Sequence, residues 1–124
     1  MMIAIKLSSF EDVRIAREWV GNLALMAGIH DPGAAVQTAG ELGNNCVEHG
    51  SQTPGMLWVG CRRGRLSLRF ENACEQRPNW QTEKPALVED FRASGYGLQI
   101  ACALARSVNY HWKNGRVVVR AEFE

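Results

Sequence analysis

Asn114-Gly115 is the residue pair that a two-residue hairpin turn prefers, because both positions must adopt positive φ. Beyond it, Val117, Val119, Ala121 and Phe123 alternate with Val118, Arg120, Glu122 and Glu124. The same period of two recurs upstream. Leu57, Val59 and Cys61 alternate with Met56, Trp58 and Arg62, and Leu66, Leu68 and Phe70 with Ser67 and Arg69, across the turn Arg62-Arg63-Gly64-Arg65. Strands with one apolar face belong to a sheet covered on one side only. Such a chain must therefore also supply a layer to cover that face.

Helical patterns supply it. Met2 to Leu7 reads as a first strand, bounded by Ser8-Ser9. Ser9 is placed to cap a helix from Phe10 or Glu11 to about Ala27, with Asp12 three residues on. Val13, Ala16, Val20, Leu23 and Ala27 give its buried face. Ile15, Trp19 and Met26 form a second apolar edge, read as overflow of the core or as a meeting place for a partner chain. Gly28 stops the helix. Asp31-Pro32 starts a second helix, with Asp31 as cap and Pro32 in the first turn. Gly40 and Gly43 inside it each cost about 1 kcal/mol against Ala, so something must approach closely there. A third helix is predicted over Gln99 to about Val108. Between the strands and this helix, Glu75 to Ser94 lacks periodicity and is broken by Pro78 and Pro85; a loop of that length is often a lid or binding loop. The predicted fold is α+β, a two-layer α/β sandwich in one domain, 1–124, with a mostly antiparallel mixed sheet and three helices on one face.

Composition closes off several function classes. Net charge is +1, which argues against a dedicated nucleic-acid binder. No apolar run approaches the roughly 20 residues that span a bilayer, and the N-terminus lacks a signal-peptide layout. Cys46, Cys61, Cys74 and Cys102 are scattered without a Cys-x-x-Cys pair, as in a cytoplasmic protein without structural disulfides or zinc. The Arg62, Arg63 and Arg65 cluster reads as a solvated hairpin tip.

Two stretches carry chemistry. Glu41-Leu42-Gly43-Asn44-Asn45-Cys46-Val47-Glu48-His49-Gly50 ends the second helix. Gln37, Glu41, Asn44, Asn45, Glu48 and His49 fall within an arc of about 140°. That face has no Lys or Arg. Its carboxylate and amide oxygens are ligands that a hard cation such as magnesium takes. Glu41 and Asn45 stand one turn apart. Further on, Ser94-Gly95-Tyr96-Gly97-Leu98 opens the third helix, and a Gly-x-Gly at a helix N-terminus frees backbone amides for phosphate. Together, Glu-Leu-x-x-Asn-x-x-x-His-Gly and, about fifty residues later, Gly-x-Gly-Leu-x-Ile resemble the GHKL (Bergerat-fold) ATP-binding family. Within it, the small stand-alone serine/threonine kinases that act as anti-sigma factors look most similar. The sharp motifs cover only these two stretches.

The resemblance implies ATP and magnesium as cofactors. It implies Glu41 as general base, Asn45 as magnesium ligand, and Gly95, Tyr96, Gly97 and Leu98 as the phosphate-side motif, with His49 pinning the helix end. Lys84 and Arg92 in the lid region are candidate phosphate neighbours. The family's other glycine motif, Asp-x-Gly-x-Gly, is altered here to Glu71-Asn72-Ala73-Cys74-Glu75. Glu71 stands at the Asp position that accepts from the adenine amino group, and Ala73 and Glu75 replace glycines. Ala73 adds a methyl where backbone and base approach each other.

The implied activity is that of a kinase phosphorylating a serine on a STAS-like antagonist protein, with a sigma factor as further partner and a homodimer as the assembly. The alternative is the same fold as a binding module that holds a regulatory partner without phosphoryl transfer. A detached histidine-kinase ATPase domain fits less well, since the chain has no phosphoacceptor helix and only a short lid.

Overall fold

The computed structural model describes residues 1–49, 53–75 and 97–124, with only the backbone described at 49 and 97–99. Its elements are β1 (Met2–Leu7), α1 (Phe10–Ala27), α2 (Pro32–His49), β2 (Gly55–Arg62), β3 (Arg65–Ala73), α3 (Gly97–Leu104), β4 (Ser107–Lys113) and β5 (Arg116–Phe123). The strands form one five-stranded sheet in the order β1-β2-β3-β5-β4. Every pairing is antiparallel. The expected mixed sheet is thus corrected: among the described strands no parallel pair occurs, because β2–β3 and β4–β5 are hairpins and the β1–β2 and β3–β5 pairs also run antiparallel.

Local chemistry sets the element ends. Ser9 Oγ accepts from the Asp12 N–H at 3.2 Å, while the Asp12 carboxylate accepts from Ser8 N at 2.9 Å and Ser8 Oγ at 2.8 Å. These bonds, the Ser8 backbone bond foremost, hold the Asp12 carboxyl below its ordinary pKa. Gly28 ends α1 at φ 71°, where a side chain would be strained. Asp31 Oδ1 accepts from Ala34 N at 3.1 Å and caps α2. Helix α3 ends at Leu104, short of the predicted Val108, which belongs instead to β4. Apolar residues at helical spacing continued into an edge strand, and the periodicity did not mark the change.

Leu57 and Val59 from β2, Leu66, Leu68 and Phe70 from β3, and Val117, Val119 and Ala121 from β5 face one way and are buried. They meet Val13, Ala16, Val20, Leu23 and Ala27 of α1, Ala35, Ala39, Leu42 and Cys46 of α2, and Ala101 of α3 in one core. The fold is therefore α+β, a helical layer on an open antiparallel sheet. The two costly glycines of α2 face α1. A Cβ on Gly43 would stand 3.1 Å from Val13 Cγ1, and one on Gly40 would stand 3.2 Å from Arg17 Cδ. Trp19 and Met26 are 50% and 72% exposed, so the second apolar edge of α1 is surface rather than core. Among the described residues, no helix is long and apolar enough to cross a membrane.

Candidate functional site

Helix α2 has three sides in use. Ala35, Ala39, Leu42 and Cys46 point into the core. Gly40 and Gly43 meet α1. At 100° per residue, the flank away from α1 carries Ala34, Thr38, Glu41 and Asn45. Helix α3 packs on α2. Leu104, its last residue, and the following Ala105 line a cleft with Ala34, near the start of α2. Glu41, Asn44 and Asn45 are half-buried and Glu48 is exposed. Thr38 is fully buried and its Oγ1 has no hydrogen-bond partner among the described residues.

Glu41 sits where its carboxyl pKa is raised. Loss of solvent contributes most; the positive charge of Arg17 opposes it and the Glu48 carboxylate adds to it. Arg17 lies across α2 at Gly40, the residue before Glu41, in the space a side chain there would fill. A carboxylate short of water beside one cation is a better proton acceptor than an exposed one.

At the end of β3 the sheet decides which side chain meets α2. Leu66, Leu68 and Phe70 face the helices, so with period two Asn72 does too, and Glu71 does not. Asn72 is buried, 9% exposed. The Cys46 thiol of α2 donates to Asn72 Oδ1 at 3.6 Å, and Asn72 Nδ2 donates to the Ala73 carbonyl at 3.2 Å. These two bonds turn the amide oxygen toward α2, and it has capacity to accept once more. Gly55 permits the approach: a Cβ there would stand 3.1 Å from Cys46 Cβ and 3.2 Å from the Glu71 carbonyl. Burial pushes the Cys46 thiol up to about 12, so it stays protonated and donating.

Glu71 lies on the opposite face of the sheet, 25% exposed in its side chain, between Arg69 at 3.7 Å and Arg116 at 3.9 Å. Glu71 is therefore on the face of the sheet away from α2, and the β3 side chain that meets α2 is Asn72, at Cys46. Alternation carried through from Phe70 would have found it. Ala73 remains in β3, paired with Arg116, and Glu75 is exposed. Gly97 is the first residue of α3. Gly95, Tyr96, Lys84 and Arg92 lie outside the described residues, as do the side chains of Leu98 and His49.

No group of three or more His, Cys, Asp and Glu side chains among the described residues could hold a metal ion. A single amide oxygen from Asn45 fits magnesium only when a nucleotide's phosphates and water complete its shell, which is how this ion is commonly held. Comparison with protein-family models finds no match, and no curated protein matches the chain.

Proposed function

We propose that the chain binds Mg-ATP at the Glu41–Asn45 end of α2 and acts as a regulatory serine/threonine kinase of the anti-sigma type on a GHKL (Bergerat) fold. The observation that carries this reading is Asn72: a buried amide oxygen turned to α2 by Cys46, with the half-buried Glu41 and Asn45 on that helix. In this reading Asn72, rather than Glu71, accepts from the adenine amino group. Asn45 would hold magnesium, which supplies charge neutralisation on the phosphates. The backbone at Gly97 and the preceding Gly95-Tyr96 would lie on the phosphate side. Glu41 takes the proton from a serine hydroxyl as its oxygen bonds to the γ-phosphorus and the bond to ADP breaks. Arg17 keeps Glu41 ionised for that step. The STAS-like antagonist, the sigma factor and a homodimer follow from the resemblance; the exposed Trp19 and Met26 edge is the candidate surface for the dimer, and the scattered cysteines support a cytoplasmic setting.

One observation favours the second reading, a binding module without transfer. Ala73 continues the strand, paired with Arg116, where the resembled family places a glycine. A methyl there narrows the approach of a base.

Calorimetric titration with Mg-ATP tests the proposal. Binding that weakens with EDTA and in Asn45→Ala, with transfer but not binding lost in Glu41→Ala, is the expected result. No heat at millimolar nucleotide would remove the kinase and leave the binding module.

A further inference from the structure

The face of the sheet turned away from the helices carries a charge pattern that the fold itself does not need. Residues paired across strands share a face, so the register places Arg62 with Arg65, Arg69 with Arg120, and Arg116 with Lys113, each pair directly opposite on this face. Lys6 of β1 belongs to the same face. Like charges directly opposite destabilise a sheet. Glu71 and Glu122 answer these cations from within the face, and Glu124 reaches Arg65 at 3.4 Å. Glu71 reaches Arg69 and Arg116 only at 3.7 and 3.9 Å. Arg120 and Lys113 have no carboxylate partner among the described residues. The helical layer has the opposite balance, with Glu11, Asp12, Glu18, Asp31, Glu41 and Glu48 against Arg14 and Arg17. Among the described residues, the two sides thus carry charge of opposite sign.

We infer that this open sheet face is a docking surface for an acidic protein partner. Cations held opposite one another, with Arg120 and Lys113 the least compensated of them, make sense when a partner's carboxylates lie over them. A protein fits better than a nucleic acid for two reasons. Glu71 and Glu122 sit inside the cationic field, where a continuous polyphosphate would meet repulsion and a protein can present matching cations. Trp58, the one indole on this face among the described residues, is covered by Arg69, whose guanidinium lies 5.2 Å from the ring centroid. It therefore offers no free face for stacking a base. The surface is separate from the α2 site, on the other side of the sheet, and the inference stands whether or not the chain binds ATP.

The test uses the full chain, with short poly-L-glutamate as the acidic probe and a single-stranded DNA oligonucleotide and phosphatidylserine vesicles as competitors. Amide shifts in β3, β4 and β5 should respond to poly-L-glutamate at low salt, and the response should fade at high salt. The double variant Lys113→Glu with Arg120→Glu should bind the probe at least about tenfold more weakly. It should also melt a few degrees higher, about 1–4 °C, because two unfavourable pairs become favourable. A lower melting temperature would show that the cations are structural and overturn the proposal. So would shifts confined to α1 and α2, no binding at all, or tighter binding to the oligonucleotide or the vesicles than to poly-L-glutamate.

Discussion

The two faces of the sheet are built from alternate residues of the same strands, yet they differ in every physical respect. On the helical side, Leu57, Leu68, Phe70 and Val119 are buried in one core, and the only polar side chain β3 contributes is Asn72. On the other side, Arg116 and Arg120 are exposed, and Arg69 and Glu71 lie half-buried among charged neighbours. A strand thus carries two separate instructions, one for packing and one for surface chemistry, and a single step along it switches between them. Glu71 and Asn72 make the point at the closest range. They are neighbours in sequence, but one lies between two arginines on the open face and the other beneath α2.

The largest difference should appear in stability. Phe70→Ala empties a fully buried site and should cost about 3–5 kcal/mol. Val118→Ala, between the core positions Val117 and Val119 but on the other face, should cost under about 1 kcal/mol. Urea unfolding of both variants checks this. Equal losses would mean that the open face is packed as tightly as the helical one.

Nucleotide affinity should separate the neighbours next. Asn72→Ala removes the proposed adenine contact and should weaken Mg-ATP binding by about 1–3 kcal/mol, the scale for losing a buried hydrogen-bond partner. Glu71→Ala should leave affinity unchanged. The reverse result, read by calorimetry, would place the base on the open face and break the account of the site.

Within the helical layer, Gly43→Ala tests the contact between α1 and α2. Its methyl would press on Val13, an overpacking cost of about 1–3 kcal/mol, offset by about 1 kcal/mol of helix propensity. A net loss is expected in thermal unfolding. A gain would show that α1 yields at Val13.

The smallest effect concerns charge. Glu41 has a folded-state pKa raised mainly by burial. Its ionised form therefore weighs against folding above that raised value, and the penalty fades as pH falls through it and then below the ordinary carboxylate range. Glu41→Gln should melt slightly higher than the parent near neutral pH and equally at acid pH. A variant that melts lower near neutral pH would mean that the attraction of Arg17 outweighs burial.

Much of this was legible from the residues. The Asn114-Gly115 turn, the Ser9 and Asp31 caps, the Gly28 stop and the alternating strands each state a local rule, and each is met. The close approach expected at Gly40 and Gly43 is found, from α1. What sequence left open depends on tertiary geometry. Reading Glu71 by alignment to a motif ignored the pleat, which puts Asn72 on the helical side. Counting charge over the whole chain concealed its division between faces, because only the strand register reveals which cations stand opposite one another. The end of α3 was overrun because Ala105 and Val108 are apolar in either state.

One measurement bears on the central comparison more directly than any variant. ATP is itself an anion, and both the α2 site and the basic face offer it something. Amide shifts of the parent chain on titration with Mg-ATP distinguish them. The account predicts changes centred on Glu41, Asn45, Asn72, Ala73 and Gly97, with Arg120 and Lys113 unmoved. Changes centred on Arg116, Arg120 and Lys113, with α2 silent, would contradict it.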